Sequence, residues 1–586
     1  MAMQDTGLLN EQTAKTIIKE LIHQGVRNFF IAPGSRSTAL VSAAAEHPLA
    51  KTHVHFDERA LAFMALGHGK AKKAPAALIL TSGTAVANVL PAIVEASQSN
   101  VPLIVLSADR PPELQACGAN QTIQQNGIFS SYVRSNINFP VPSPDLETSY
   151  YSSSIAEAVY HAKTGPVQIN CPFRKPFLAY ETGQPYATPK TKPQTGPTYF
   201  HTQTSINDQD ASLIAERLST IENGAILVGA LDDIDIESLE TLSRILQWPI
   251  LADVTSSVRS HGPITGLARH YDLILGSLPP HEELYLDGVL HFGGPLVTKR
   301  VHDWLEKHKP KTYVHVKNTP KRQEHLHLAT HHIPCDPTAF IHSILEHLPG
   351  RGPSSWMGLW NNLSSVVTER LKAFFKQDTI CEPFALNLLN ELPENTAAFI
   401  GNSMPIRDAD SFFFPPKPTG PIFANRGASG IDGNIATATG IAKALHSPML
   451  TIVGDQTLLH DIGSLCALKT LDTPFVLLTI NNGGGGIFSF LPIHQKKAIF
   501  ETHFAAAQSQ NFRGIAQSFG LSYQAPTTCK SLRDAVLEAF SASGPTLIEL
   551  TTKRDENLKL HRDLLNELSG LNLSEKAIPF PAYAST

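Results

Sequence analysis

The chain has 586 residues, 42% hydrophobic and 17% charged, which marks a globular protein too long for one core; about three or four domains are expected. Its net charge of −5, from 47 basic and 52 acidic side chains, leaves no basic footprint for nucleic acid. Six scattered cysteines (Cys117, Cys171, Cys335, Cys381, Cys466 and Cys529) without a CxxC pair read as reduced thiols. The opening MAMQDTGLLNEQTAK lacks a basic segment followed by an apolar core, and no window approaches the length of a membrane span. A cytoplasmic protein with no membrane span is the expectation.

In chain order, helical spacing over Glu11–Gln24 leads to a strand at Asn28–Ala32. A short β-like run then passes into a helix in HVHFDERALAFMALGHGKA, where Asp57 and Glu58 sit at the helix start. The stretch AALILTSGTAVANVLPAIVEASQSNVPLIVLSADRP reads as strand, turn, helix, strand, a βαβ unit that favours a parallel sheet. Residues 183–198, GQPYATPKTKPQTGPT, are rich in Pro, Thr and Gly and read as a linker. The middle segment repeats the alternation more loosely in AILVGAL, PILADV, LDGVLHFGG and KTYVHVKN. Its histidine-rich run, His325 through His332, reads more readily as a half-exposed strand than as a metal site. A second break, LPGRGPSS at 348–355, precedes a third series: TAAFIGN, PIFANRG, MLTIVGD, FVLLTIN and PTLIELT. The expected fold class is therefore α/β with three doubly wound parallel-sheet domains, spanning 1–182, 199–348 and 356–586.

The third segment carries the first chemistry. Apolar runs Leu450–Val453 and Phe475–Ile480 read as buried strands, with helical spacing between them. Asp455 of VGD and Asn482 of INN then fall at the C-terminal ends of two strands, where open α/β sheets bind ligands. A carboxylate, an Asn carbonyl and a backbone carbonyl from the following Gly run are hard oxygen ligands suited to Mg²⁺ carrying a polyphosphate. The same residues also suit a turn Asp and a hairpin Asn-Asn. A nucleotide-binding dehydrogenase is disfavoured, because no GxGxxG follows an early strand.

The Gly-Asp, then Asn-Asn one βα unit later, resembles the thiamine-diphosphate motif. That resemblance implies Asp455, Asn482 and the Gly484 carbonyl as ligands of Mg²⁺ (or Mn²⁺) anchoring thiamine diphosphate. One departure is visible: Gln456 stands where this family often has Gly. The decarboxylase and carboligase group of the family has the same three-domain order. It also requires a carboxylic acid beside the aminopyrimidine ring, kept protonated by burial. The resemblance selects Glu58; the residues alone do not separate it from Asp57.

FFIAPGSRSTAL, HFDERALAFMALGHGKA, TSGTAVANVLPAIVEA, SADRPPEL, GANQTI, QINCPFRKP, GNSMPIRDAD, ANRGASGIDG and NNGGGGIFSFLP narrow the likeness. Together they resemble the 2-succinyl-5-enolpyruvyl-6-hydroxy-3-cyclohexene-1-carboxylate synthases, the MenD family of menaquinone biosynthesis. The resemblance implies decarboxylation of 2-oxoglutarate and conjugate addition of the succinyl carbanion to isochorismate. Two multiply charged substrates call for Arg forks in loops at strand ends. Arg36, Arg110, Arg407 and Arg426 each follow an apolar run, whereas Lys299 and Arg300 read as opening a helix. By the resemblance, Ser403, Arg407 and Arg426 hold 2-oxoglutarate, with Glu58, Arg407 and Arg426 the catalytic set. Ser35, Arg36, Arg110, Asn120, Gln121, Lys299 and Arg300 receive isochorismate. Ser403, Ser429, Ile431, Gly454, Ile487 and Phe488 contact the cofactor, Ile431 as its prop and the last two as an apolar wall over the thiazolium. The family also implies a homodimer or homotetramer with sites between subunits. Other thiamine-diphosphate decarboxylases, acetohydroxyacid synthases and non-catalytic homologues are the alternatives; loss of the Glu or of a metal ligand would indicate the last.

Overall fold

A computed structural model describes residues 3–179, 195–231, 233–278 and 284–569, with side chains from residue 6 onward. Most of the 183–198 linker and the tail LSEKAIPFPAYAST lie outside the described residues.

Three wholly parallel sheets follow one another along the chain. The first contains β1 (Asn28–Ile31), β2 (Lys51–Val54), β3 (Ala76–Leu80), β4 (Leu103–Asp109), β5 (Asn136–Asn138) and β6 (Pro166–Pro172), in the order β2-β1-β3-β4-β6-β5. The second contains β7 (Gly224–Val228), β8 (Ile250–Ala252), β9 (Gly288–Phe292), β10 (Thr312–Val316) and β11 (His331–Ile333), in the order β11-β10-β9-β7-β8. The third contains β12 (Ala397–Ile400), β13 (Ile422–Phe423), β14 (Met449–Gly454), β15 (Phe475–Asn481), β16 (Ser522–Gln524) and β17 (Thr546–Thr551), in the order β13-β12-β14-β15-β17-β16. First and third sheets thus share one topology. Helices cover both faces of the central strands, so all seven residues of β4 and of β6 are buried, the polar Ser107, Asp109, Gln168 and Asn170 included.

Several elements differ from their reading. The first helix runs Met3–His23, eight residues longer upstream than the apolar spacing alone reports. Of the histidine-rich run, only His331 onward is a strand; His325–Thr330 is irregular. The segment between β14 and β15 is not one helix but three pieces, Asp455–His460, Ile462–Ser464 and Leu465–Leu468. The break falls at Asp461, which is fully buried and accepts hydrogen bonds from the Ile435 and Ala436 N–H groups at 2.8 and 3.0 Å and from Ser464 Oγ at 2.7 Å. It satisfies orphan donors at the start of the neighbouring helix Asn434–Leu445 instead of continuing its own.

Two of the contacts between domains bear on the site. Helix Glu58–Lys72 of the first domain lies directly on helix Asn434–Leu445 of the third. Glycines allow that approach: a Cβ on Gly67 would stand 2.1 Å from the Thr437 carbonyl oxygen, and one on Gly440 2.0 Å from that of Met64. The middle domain is tied to the third by Arg259, only 1% exposed, which reaches Asp410 Oδ1 at 2.7 Å and the Phe413 carbonyl at 2.6 Å. Tyr271 donates to the same carboxylate at 2.9 Å, and the Arg259 guanidinium lies 3.7 Å from the Phe414 ring centre. Asp410 belongs to helix Met404–Phe412, which also carries Arg407. This buried pair fixes the geometry of that helix, since removing one partner would strand the other charge.

Candidate active site

In the third sheet the chain passes from β12 to β13 on one side and then crosses to β14 on the other. That is the topological switch point, where strand ends open a crevice. Registers Ile400↔Ile452 and Gly454↔Ile480 bring the ends of β12, β14 and β15 side by side. The cavity there is lined by Ser403, Ile431, Gly454, Asp455, Asn482, Gly484 and Ile487 among the expected residues, and also by Glu382 and Gln456.

Asp455 opens its helix directly after β14. Its Oδ1 accepts from Gln456 N and its Oδ2 from Gly484 N, both at 2.7 Å. Burial pushes its carboxyl above the usual range, while the backbone N–H groups oppose that shift. Gly484 takes φ +124, and a Cβ there would lie 2.2 Å from the Ala505 carbonyl oxygen, so only glycine carries the loop past this point. Its own carbonyl accepts from Gly486 N at 2.8 Å and keeps a second lone pair. Asn482 donates through Nδ2 to Glu382 Oε1 at 3.0 Å, and its buried Oδ1 has no hydrogen-bond partner among the described residues. An orphaned buried carbonyl beside a carboxylate and a backbone carbonyl is a donor set that fits a hard divalent cation. Gln456 does more than replace a glycine: its Nε2 donates to the Ala505 and Ala506 carbonyls at 2.7 and 3.2 Å, holding the loop behind the Gly run.

Above the cavity, Ser403 and Ser429 both adopt positive φ, +73 and +58. Such conformations cost about 1–3 kcal/mol each and persist where surrounding contacts over-determine them. Asn402, 2% exposed, is the contact that does so. Its Nδ2 donates to the Asn425 and Gly430 carbonyls, each at 2.7 Å, and its Oδ1 accepts from Arg426 Nη1 at 2.7 Å. Arg407 donates to the Ser403 carbonyl, and burial followed by the neighbouring Arg426 charge lowers its pKa. Two guanidinium groups thus stand near each other, an arrangement that favours an anion; neither lines the cavity, and Arg426 faces a separate pocket with Lys70, Thr255 and Lys317. Phe488 does not line the cavity but packs edge-on against Phe504.

A second cluster lies at the C-terminal edge of the first sheet. Arg36, 7% exposed, donates to the Phe173 carbonyl at 2.8 Å, lies 4.8 Å from the Phe177 ring centre and leaves its buried Nε without a partner. Burial and then Arg110 push its pKa down to about 10. Arg110 donates to Ser82 Oγ, and Gln121 donates to the Ser82 carbonyl at 2.9 Å. Ser35 and Asn120 are exposed beside them. Arg36, Arg110 and Gln121 are therefore brought together; Lys299 and Arg300 are not. Those two open the helix Lys299–His308, where Lys299 pairs with Asp303 and Arg300 with Asp272.

Glu58 is the first residue of its helix, half-buried, and makes no hydrogen bond among the described residues. The capping role belongs to Asp57, whose carboxylate accepts from Arg59 N at 2.9 Å and Ala60 N at 3.2 Å. Glu58 does not line the third-domain cavity of its own chain, and its neighbours Val54 and Phe56 are 65% and 67% exposed. Asn402, Glu382 and the clamp of Gln456 carried no sequence signal, because each acts through partners distant in the chain.

Known family models match the chain in three consecutive parts. Residues 11–128 match the N-terminal TPP binding domain of thiamine pyrophosphate enzymes, 197–400 the middle domain and 408–550 the C-terminal TPP binding domain. Proteins named 2-succinyl-5-enolpyruvyl-6-hydroxy-3-cyclohexene-1-carboxylate synthase are similar over nearly the whole chain. That of Rubrobacter xylanophilus is 40% identical, covering 96% of this chain and 99% of the relative. That of Salinibacter ruber is 38% identical, covering 93% and 94%. That of Bacillus velezensis is 36% identical, covering 94% and 96%.

Proposed function

The chain belongs to the 2-succinyl-5-enolpyruvyl-6-hydroxy-3-cyclohexene-1-carboxylate synthase family of thiamine-pyrophosphate enzymes, and on that premise we propose how its own residues run the reaction. It is a thiamine-diphosphate-dependent transferase of carboligase type in menaquinone biosynthesis, joining a 2-oxoglutarate-derived succinyl unit to isochorismate. When bound, thiamine diphosphate supplies the carbon nucleophile and the electron sink for loss of CO2. Everything else falls to the protein.

Asp455, Asn482 and the Gly484 carbonyl would hold Mg²⁺ or Mn²⁺, which would neutralise and anchor the diphosphate. The orphaned Asn482 Oδ1 beside the Asp455 carboxylate is the observation that supports this reading. Ile431 and Ile487 line the same cavity and keep water from the reacting carbon. Arg407 and Arg426 bind the carboxylates of 2-oxoglutarate, together with Ser403, whose carbonyl accepts from Arg407. Arg36, Arg110, Asn120 and Gln121 receive isochorismate, and their charge stabilises negative charge developing on its carboxylate. Lys299 and Arg300 reach it only by leaving Asp303 and Asp272.

Glu58 serves the cavity of a second subunit, where it would hydrogen-bond the aminopyrimidine of the bound cofactor. Support for a dimer comes from exposed Val54 and Phe56 just before a half-buried Glu58 whose side chain has no hydrogen-bond partner among the described residues. Among the described residues no helix is long and apolar enough to cross a membrane, consistent with work in the cytoplasm. The test is to mix the protein with thiamine diphosphate, Mg²⁺, 2-oxoglutarate and isochorismate and follow loss of isochorismate absorbance. Equal use of pyruvate as donor would reject the roles given to Arg407 and Arg426.

A further inference from the structure

The most buried acid facing the cofactor cavity is one that the roles above leave idle. Glu382, 1% exposed, opens the helix Glu382–Asn387. Its Oε1 accepts from Asn482 Nδ2 and from Thr552 Oγ1, both at 3.0 Å, and no lysine or arginine pairs with it among the described residues. Burying a carboxylate without a cation is costly, so its place calls for a reason beyond packing.

An asparagine amide has two ends of similar shape and opposite chemistry, a carbonyl that accepts and an NH2 that donates. The Glu382 oxygen that meets Asn482 also accepts from Thr552 Oγ1, so it presents an acceptor and not a proton. Glu382 therefore selects the amide end that faces it, and the carbonyl must turn the other way. That other way is the cavity, where Oδ1 is buried without a partner. Thr552, just beyond β17, donates to that same oxygen and holds the carboxyl in place. We propose that Glu382 is a positioning residue: by accepting from Asn482 Nδ2 it fixes the Asn482 carbonyl toward the cation site, without touching the cation itself. The proposal rests on Asn482 being a cation ligand. Groups behind a metal ligand typically change metal affinity by about 10–100-fold when altered.

The measurement is Mn²⁺ binding to the full-length protein at saturating thiamine diphosphate, read from the electron paramagnetic resonance signal of free Mn²⁺. Glu382→Gln offers both a donor and an acceptor, leaves the amide orientation unspecified and should weaken Mn²⁺ binding about 10–100-fold. Thr552→Val, which loosens Glu382 while leaving its charge, should weaken it less and covers the case in which Glu382→Gln does not fold. The decisive comparison uses Asn482→Asp, whose two carboxylate oxygens are equivalent and need no orienting. In that background Glu382→Gln should cause no further weakening. An equal loss in both backgrounds, or no loss in the Asn482 protein, overturns the proposal. If Asn482→Ala binds Mn²⁺ as the unaltered protein does, the ligand reading fails first and the proposal with it.

Discussion

Replacing Asn402 with alanine tests whether the two serines and Arg426 are held as a unit. The side chain is 2% exposed and makes three hydrogen bonds: to the Asn425 and Gly430 carbonyls and from Arg426. Truncation leaves two carbonyls short of a donor, at about 1–3 kcal/mol each where water cannot enter. The crevice is open at its rim, so a destabilisation of about 2–4 kcal/mol is the reasonable sum. Losing the bond to the Arg426 guanidinium removes roughly 1.5–3 kcal/mol of orientation, since hydrogen bonds to charged groups lie in that range. If that orientation is used in binding the oxo acid, kcat/KM for 2-oxoglutarate should fall by about 10–100-fold, at 1.4 kcal/mol per decade. Urea unfolding gives the first quantity, and initial rates at saturating isochorismate give the second. An Asn402→Ala protein that is destabilised yet keeps its kcat/KM for 2-oxoglutarate would refute the reasoning, because Arg426 would then need no help from Asn402.

Gly67→Ala should lower the thermal midpoint, because its methyl would meet the Thr437 carbonyl at 2.1 Å and overpacking costs about 1–3 kcal/mol; an unchanged midpoint would mean that the two helices separate freely. Asp461 is pushed up to about 6 from 3.8, chiefly by burial. The folded protein therefore binds more protons there than the unfolded chain, so the stability this group contributes is full below pH 3.8 and is lost as pH rises through about 6. At roughly 1.4 kcal/mol per unit this is about 3 kcal/mol, and Asp461→Asn should flatten that fall when urea midpoints are compared from pH 4 to 7. Glu58→Gln should retain thiamine diphosphate, measured by equilibrium dialysis, while turnover falls at least about 100-fold, the lower bound for losing an acid–base group; near-normal turnover would remove Glu58 from the first step.

The strands around the cavity were legible because both faces of the sheet are covered. Leu450–Val453 and Phe475–Ile480 are runs of apolar residues in the sequence and buried neighbours in β14 and β15. The helix between them was misread for the opposite reason. Asp461 looks like one polar residue on a helical face, and only the position of residues 435 and 436 explains why it turns inward and ends the helix. The same limit applies to Glu382, which lies 100 residues before the asparagine it contacts. Local patterns carry strands and turns; they do not carry a hydrogen bond across two loops. The arginines mark the boundary between the two cases. That Arg36 and Arg110 follow strands is readable from spacing, but that they converge on one edge depends on β1 and β4 being separated by β3 alone.

The shared topology of the first and third sheets gives these observations a common cause. One strand order, used twice, presents two sets of loops at two sheet ends. In the third sheet those loops carry Asp455, Asn482 and the paired arginines; in the first they carry Arg36, Arg110 and Glu58. Within one chain the two domains meet through helices Glu58–Lys72 and Asn434–Leu445, and that contact already occupies the glycine-lined face of each. The helix is thus committed along its length to its own third domain, while the end that carries Glu58 is flanked by exposed Val54 and Phe56. A carboxyl needed in a dry pocket cannot be dried by the cavity of its own chain, which it does not line. In the reading proposed above, a second copy would bury Val54 and Phe56, bring its own cavity to Glu58 and so supply the missing wall.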